Sequence, residues 1–271
     1  MHELRRAVRI SLPLDGSDPR GLPRDNPFAA WPSTDDFSLF ITIEVAVSGS
    51  PDPVTGYLVD ITAIDREVRS LVIDRLAPAI GSGTPPPARV LRWIASTLPA
   101  ALERHVAWVR IALHPFLSLT MHLSRPDCII LRQSFEFSAS HRLHCREYDD
   151  ATNLALFGKC NNLNGHGHNY RVEVAVETPL DTSAERLDRP ILRLTQIESI
   201  VRREVIDRFD HRHLNSDTIE FATLNPSVEH IARTCHDLLV APLAAAGGTL
   251  QEVTVWETAK TSCTYRAAPS R

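Results

Sequence analysis

Apolar and polar residues alternate along this chain with two periods, and the periods follow one another in an order that occurs twice. Phe135, Phe137, Ala139 and His141 share one parity while Arg132, Ser134, Glu136 and Ser138 take the other, which predicts a strand with one buried face. Tyr170, Val172, Val174 and Val176 fall in phase with His166 and His168, opposite Arg171, Glu173 and Glu177, and predict a second strand. The period then lengthens. Ile197, Val201, Val205 and Phe209 form one helical stripe, with Thr195 and Glu198 as its capping box. A second helix is expected to open at Asn225-Pro226 and to turn Val228, Ile231, Cys235 and Leu238 inward. Strands over 253–258 and 262–266 complete the order ββααββ, an α+β unit whose antiparallel sheet carries helices on one face.

The same pattern precedes it. Residues 59–76 (VDITAIDREVRSLVIDRL) and 192–209 (LRLTQIESIVRREVIDRF) are identical at eight of eighteen positions at a constant offset. EVAV at 44–47 recurs at 173–176, and AWVRIAL at 107–113 has the pattern of QEVTVWE at 251–257. The chain therefore reads as two tandem copies of one unit, 1–127 and 128–271.

Composition narrows the class further. With 43% apolar and 23% charged residues over 271 positions, the chain is that of a globular protein with room for one large domain or two ordinary ones. No apolar run approaches the roughly 20 residues that cross a bilayer, and MHELRRAVRISLPL lacks the apolar core of a signal peptide. Five cysteines, an odd number without framework spacing, point to a reducing cytoplasm. A net charge of −4 argues against nucleic acid or an anionic membrane as a partner. Only Lys159 and Lys260 among the 29 basic residues are lysines, so either composition spared two or a compact ammonium is wanted there.

His141, His166 and His168 all continue the apolar face of their strand, and an antiparallel hairpin brings them together. Histidines at i and i+2, with Gly167 admitting a close approach, have a geometry that zinc uses. Three neutral imidazoles leave one tetrahedral position open, as in catalytic zinc; the alternative is a set of histidines hydrogen-bonded at a sheet end. Cys160, in KCNNLNGHGHNY, is either a fourth ligand or a thiol that acts as a base near the metal. Asp210-His211 directly follows the first helix, either as a carboxylate orienting an imidazole or as an ordinary helix end. Glu257 shares the parity of Val253 and Val255, so its carboxylate points inward and needs a partner, such as a guanidine-like ligand edge.

FSASHRL (137–143), FGKCNN followed by NGHGHNY (157–170), DHRHLN (210–215), NPSVEHIA (225–232) and WETAKTSCTY (256–265) resemble the 6-pyruvoyl-tetrahydropterin synthase family, collinearly from about Cys128 to the C-terminus. The resemblance implies a tunnelling fold (T-fold) and a zinc-dependent lyase that acts on 7,8-dihydroneopterin triphosphate with loss of triphosphate. It places the zinc ligands at His141, His166 and His168, and the catalytic groups at Cys160, Asp210 and His211. It makes Cys160 a proton-transfer group rather than a ligand. Glu257 falls on the pterin anchor, with Ser227 and Glu229 in a segment lining the pterin pocket. Lys159 and Lys260 are triphosphate candidates on charge and position only. Five residues separate Cys160 from His166, as in the pyruvoyl branch; the 6-carboxy-tetrahydropterin synthases of queuosine biosynthesis, the alternative on the same substrate, typically have three. A zinc- or pterin-binding protein without turnover is the alternative outside the class.

In the first copy the positions equivalent to His166 and His168 are Phe37 and Leu39. Those of Asp210, His211 and Glu257 are Ala77, Pro78 and Leu113, and the segment matching the Cys160 loop (16–36) has neither cysteine nor histidine. That copy reads as retained for structure. In the single-unit family three units close a ring through their sheet edges, two rings stack, and the sites lie at unit interfaces. A tandem chain then predicts a homo-oligomer: a trimer with each copy in its own ring, or a ring of alternating copies.

Overall fold

The computed structural model describes residues 2–21, 37–80, 83–103, 105–183 and 188–267, and the chain divides into two compact units. One comprises Met1–Leu131 with Thr178–Ile191, the other Arg132–Glu177 with Leu192–Arg271. Of the segment matching the Cys160 loop, residues 22–36 lie outside the described residues.

The first unit runs β1 (His2–Pro13), β2 (Ser38–Gly49), α1 (Ile61–Leu76), α2 (Pro87–Leu102), β3 (His105–His114) and β4 (Leu117–His122). Neighbouring strands are antiparallel, in the order β1-β2-β3-β4. Val8 faces Ile43 and Ile10 faces Ile41 across β1 and β2, and Val45 and Ile43 face Val109 and Ile111 across β2 and β3. All are buried, and α1 covers them with Ile64, Val68 and Val72 while α2 adds Leu91, Ile94 and Leu98. Each such side chain contributes about 1.5–3 kcal/mol of burial, so the period-2 and period-3.6 stripes choose the fold together. Asp60 caps α1 by accepting from Thr62 N–H at 2.9 Å. The hairpin 178–191 joins this unit through an ion pair of Asp188 with Arg92 (3.1 Å).

The second half of the chain repeats the order with insertions: β5 (Cys128–His141), α3 (Asp150–Phe157), β6 (His166–Asp181), β7 (Arg189–Pro190), which belongs to the first unit, then α4 (Leu194–Val201), which passes through a π turn (Arg202–Ile206) into α5 (Asp207–Phe209). β8 (Arg212–His213), α6 (Leu214–Asp217), α7 (Val228–Ala245), β9 (Thr249–Thr258) and β10 (Thr261–Tyr265) follow. β6 pairs antiparallel with β9 and β9 with β10. The predicted stripe Ile197, Val201, Val205 and Phe209 is fully buried.

Three local expectations are corrected. The first helix is capped at Arg193, whose N–H donates to the Gln196 side chain (3.0 Å); Glu198 instead accepts from Gln133 at 2.9 Å. The second helix begins at Val228 with Ser227 as its cap, because the Asn225 side chain is taken by the His144 N–H (3.2 Å). Leu239 rather than Leu238 then falls on its buried face. No sequence pattern announced α3, whose Leu154 and Leu156 are exposed and leave no apolar stripe. Among the described residues no helix is long and apolar enough to cross a membrane.

Candidate metal and catalytic site

The end of β5 and the start of β6 deliver His141, His166 and His168 to one point, joined there by Glu257 from the end of β9. One ligand atom of each lies within 4.8 Å of the others, and among the described residues this is the one such group. His141 Nε2 is 3.0 Å from His166 Nε2 and 3.1 Å from Glu257 Oε1, which in turn is 3.3 Å from His168 Nε2.

The surroundings fix the imidazoles. His141 is fully buried and its Nδ1–H donates to the Pro226 carbonyl at 2.7 Å, which turns Nε2 toward the cluster. Both its ring nitrogens thus face acceptor atoms, Nδ1 the Pro226 carbonyl and Nε2 the Glu257 carboxylate. Burial pushes the pKa of His166 down, with the neighbouring histidines adding to it. Burial also pushes His168 down, against the opposing pull of Glu257. His168 Nε2 and His166 Nδ1 are buried without a hydrogen-bond partner. A hydrogen bond from His141 holds Glu257 below the usual carboxylate range, against the burial that pushes it up.

Gly165 makes the entry into β6 possible. Its φ is +69°, and a Cβ there would lie 2.8 Å from both the His141 carbonyl oxygen and His213 Nε2. The close approach expected at Gly167 is found here instead: a Cβ at Gly167 would meet Ala139 O at an ordinary 3.5 Å.

Asp210 and His211 are tied to β5 at a single residue. Ser138 N–H donates to Asp210 Oδ1 (2.8 Å) and His211 N–H donates to Ser138 O (2.6 Å). The His211 φ of +58° is unusual outside glycine and is held by these bonds. Asp210 Oδ2 meets His211 Nδ1 at 2.8 Å, and the Ser138 N–H and then the imidazole hold the carboxyl below its ordinary range. The His211 side chain is 82% exposed and, with His168, lines a groove beside β5.

Cys160 sits in a short 3₁₀ turn (Gly158–Asn161), half-buried and outside the four-donor cluster. Asp210 and His211 pair with one another, and among the described residues the Cys160 thiol is not hydrogen-bonded to either. Lys159 is exposed on the same turn, and Lys260 is exposed between β9 and β10. Ser227 caps α7, and Glu229 is exposed in the first turn of that helix. The carbonyl of Pro226 and the main chain of Ser138 were not among the expected site groups, since main-chain atoms leave no mark in side-chain patterns. Tyr170 was placed only on the strand face: its hydroxyl is buried without a partner, and its ring stacks on Phe137 at 5.0 Å.

The model of the family 6-pyruvoyl tetrahydropterin synthase matches residues 130–268. The chain belongs to the 6-pyruvoyl tetrahydropterin synthase family. A 6-pyruvoyl tetrahydrobiopterin synthase of Drosophila melanogaster is 36% identical over 144 residues, 53% of this chain and 83% of that protein. The Homo sapiens 6-pyruvoyl tetrahydrobiopterin synthase is 36% identical over 130 residues, 48% of this chain and 86% of the relative. The solved structure of Caenorhabditis elegans 6-pyruvoyl tetrahydropterin synthase is similar at 32% identity and a TM-score of 0.44, covering 52% of this chain and 96% of that one. All four cluster residues lie inside the segment matched to the synthase family, and nearly all of the first unit's strands and helices lie outside it.

The donor set suits a metal of the synthase family. Tetrahedral zinc with bonds of about 2.0–2.1 Å spaces its ligand atoms roughly 3.3 Å apart. His141 Nε2 and His166 Nε2 lie 3.0 Å apart, close to that size, and Glu257 Oε1 stands 3.1 and 3.3 Å from the Nε2 atoms of His141 and His168. The buried, unpartnered Nε2 of His168 and the Nε2 of His141 beside a carboxylate are what such an ion would satisfy, with His166 meeting it through Nε2.

Proposed function

We propose that the carboxy-terminal unit is a zinc-dependent lyase of the 6-pyruvoyl tetrahydropterin synthase type, acting on 7,8-dihydroneopterin triphosphate with loss of triphosphate. The lyase class comes with the family; the metal, the substrate and the residue roles are our reading. The observation that carries it is the convergence of three imidazoles beside an inward carboxylate, close to the strand that anchors an Asp–His pair.

His141, His166 and His168 are assigned to zinc, and burial lowers the pKa of the latter two, which favours the neutral form that ligation needs. When bound, zinc would polarise side-chain hydroxyls of the substrate and acidify the neighbouring C–H bonds. Glu257 is assigned to the pterin rather than to the metal, because a fourth protein ligand would close a site that needs an open position. Its carboxylate would accept a paired hydrogen bond from the pterin amide edge and so orient the ring. Asp210 holds His211 with the proton on Nδ1, leaving Nε2 to take or give a proton. Cys160 Sγ is assigned as the second proton-transfer group. Ser227 and Glu229 are assigned to the pterin pocket through their place at the start of α7, and Lys159 and Lys260 to the triphosphate on charge alone.

His211 is exposed enough to serve a neighbouring chain, which suits a homo-oligomer with sites between chains. A trimer places each kind of unit in its own ring; alternation in one ring requires two or four chains. The cytoplasm is the proposed location, on the five free cysteines.

Mass spectrometry of the product from dihydroneopterin triphosphate tests the reading. The 6-pyruvoyl product is expected. A 6-carboxy product would move the chain to the deazaguanine branch, and no product from zinc-loaded protein would leave a binding protein.

A further inference from the structure

We propose that Arg142 is a positioning residue that fixes Cys160 relative to the metal-ligand strand and to the Asp210–His211 segment. The proposal rests on the role given to Cys160 above. Arg142 directly follows His141, the last residue of β5. Its main chain is pinned by Asn215 of α6: Arg142 N–H donates to Asn215 Oδ1 at 2.8 Å, and Asn215 Nδ2 donates to Arg142 O at 3.0 Å. Asn215 belongs to the stretch that begins with Asp210 and His211, so residue 142 is held against that stretch.

The guanidinium grips a different segment. Nε donates to Asn161 O and Nη2 to Asn161 Oδ1, both at 3.0 Å, on the residue next to Cys160. Leu143 N–H donates to Cys160 O (2.9 Å), and His144 Nδ1 meets Asn161 Oδ1 at 3.1 Å. Three successive residues after the metal strand therefore clamp a four-residue 3₁₀ turn, Gly158–Asn161. One side chain and its main chain thus link all three parts of the proposed machinery: His141 by the peptide bond, Cys160 through Asn161, and Asp210–His211 through Asn215.

The two-point grip depends on the planar fork of arginine. A lysine keeps the charge but offers no second parallel N–H. With the fork lost, the turn is free to shift, and a thiol displaced by about 1 Å loses roughly a hundredfold in rate. A residue that bound substrate directly would instead act through KM, and lysine would replace it in part.

The test uses the zinc-loaded full chain, as wild type, Arg142→Lys and Arg142→Ala. It measures zinc content, far-UV circular dichroism, kcat and KM, and iodoacetamide alkylation of Cys160 by peptide mapping. Cys235 serves as an internal control, since burial pushes its thiol up to about 12. In both variants zinc and fold are expected to be retained, kcat to fall about 10–100-fold with KM within about twofold, and Cys160 to alkylate roughly tenfold faster. Millimolar guanidinium is expected to restore part of the kcat of Arg142→Ala. Raised KM with unchanged kcat would make Arg142 a substrate ligand and overturn the proposal. Wild-type kcat and alkylation would also overturn it, as would loss of zinc or fold in Arg142→Lys. If wild type turns over no pterin triphosphate, the functional reading fails, while the alkylation rates still decide whether Arg142 positions the thiol.

Discussion

Glu257 is the residue on which the site's two roles meet. Its carboxylate lies 3.1 Å from His141 Nε2 and 3.3 Å from His168 Nε2, so distance alone would let it join the metal. The open-site argument assigns it to substrate. Glu257→Gln is therefore expected to keep a full equivalent of zinc. Its KM for the pterin triphosphate should rise about 10–100-fold, the size of a lost charged hydrogen-bond pair of about 1.5–3 kcal/mol. Metal analysis beside steady-state kinetics checks this, and a drop in zinc would make Glu257 a ligand. The inward direction of the residue was legible from the parity of Val253 and Val255. Its present imidazole partners were not, because they come from strands far away in the chain.

At the scale of elements, the two-histidine strand is aimed by the turn in front of it. Gly165 holds a φ of +69° with the His141 carbonyl 2.8 Å from where a Cβ would stand, so the fit tolerates no side chain. Gly165→Ala should cost about 2 kcal/mol or more through left-handed strain and the clash. It should also weaken zinc binding, because the shift is passed directly to His166. Denaturant titration with and without zinc measures both; unchanged stability and affinity would show that the turn relaxes freely. The strands were legible because alternation puts His141, His166 and His168 on the face of Phe137 and Val172. The caps were less so. Thr195 and Glu198 made as good a capping pattern as Arg193 and Gln196, and only the long-range bond from Gln133 to Glu198 separates them. Likewise nothing local in Asn225-Pro226 shows that the asparagine serves His144 and the proline carbonyl His141.

At the scale of the whole molecule, two units share one order of strands and helices, and among the described residues the four donors lie in the second. His211 sits at φ +58°, whereas Pro78, the position expected from the sequence repeat to match it, is a proline, whose ring locks φ near −65°. Phe37, the position expected from the repeat to match His166, is 86% exposed and offers no ligand atom. Light scattering on the intact protein should give three chains if each kind of unit keeps its own ring. Two or four chains would select alternation, and a stable active monomer would contradict both. The division of labour inside the second unit is the central claim: three histidines hold the metal, and Cys160 moves protons without binding it. Zinc content and turnover of Cys160→Ala, measured together with His166→Ala, test it most directly. Cys160→Ala should keep one zinc per chain and lose about 100-fold or more in turnover, the scale of a missing acid–base group, while His166→Ala loses the metal. Loss of zinc from Cys160→Ala, or one full equivalent retained by His166→Ala, would contradict the account.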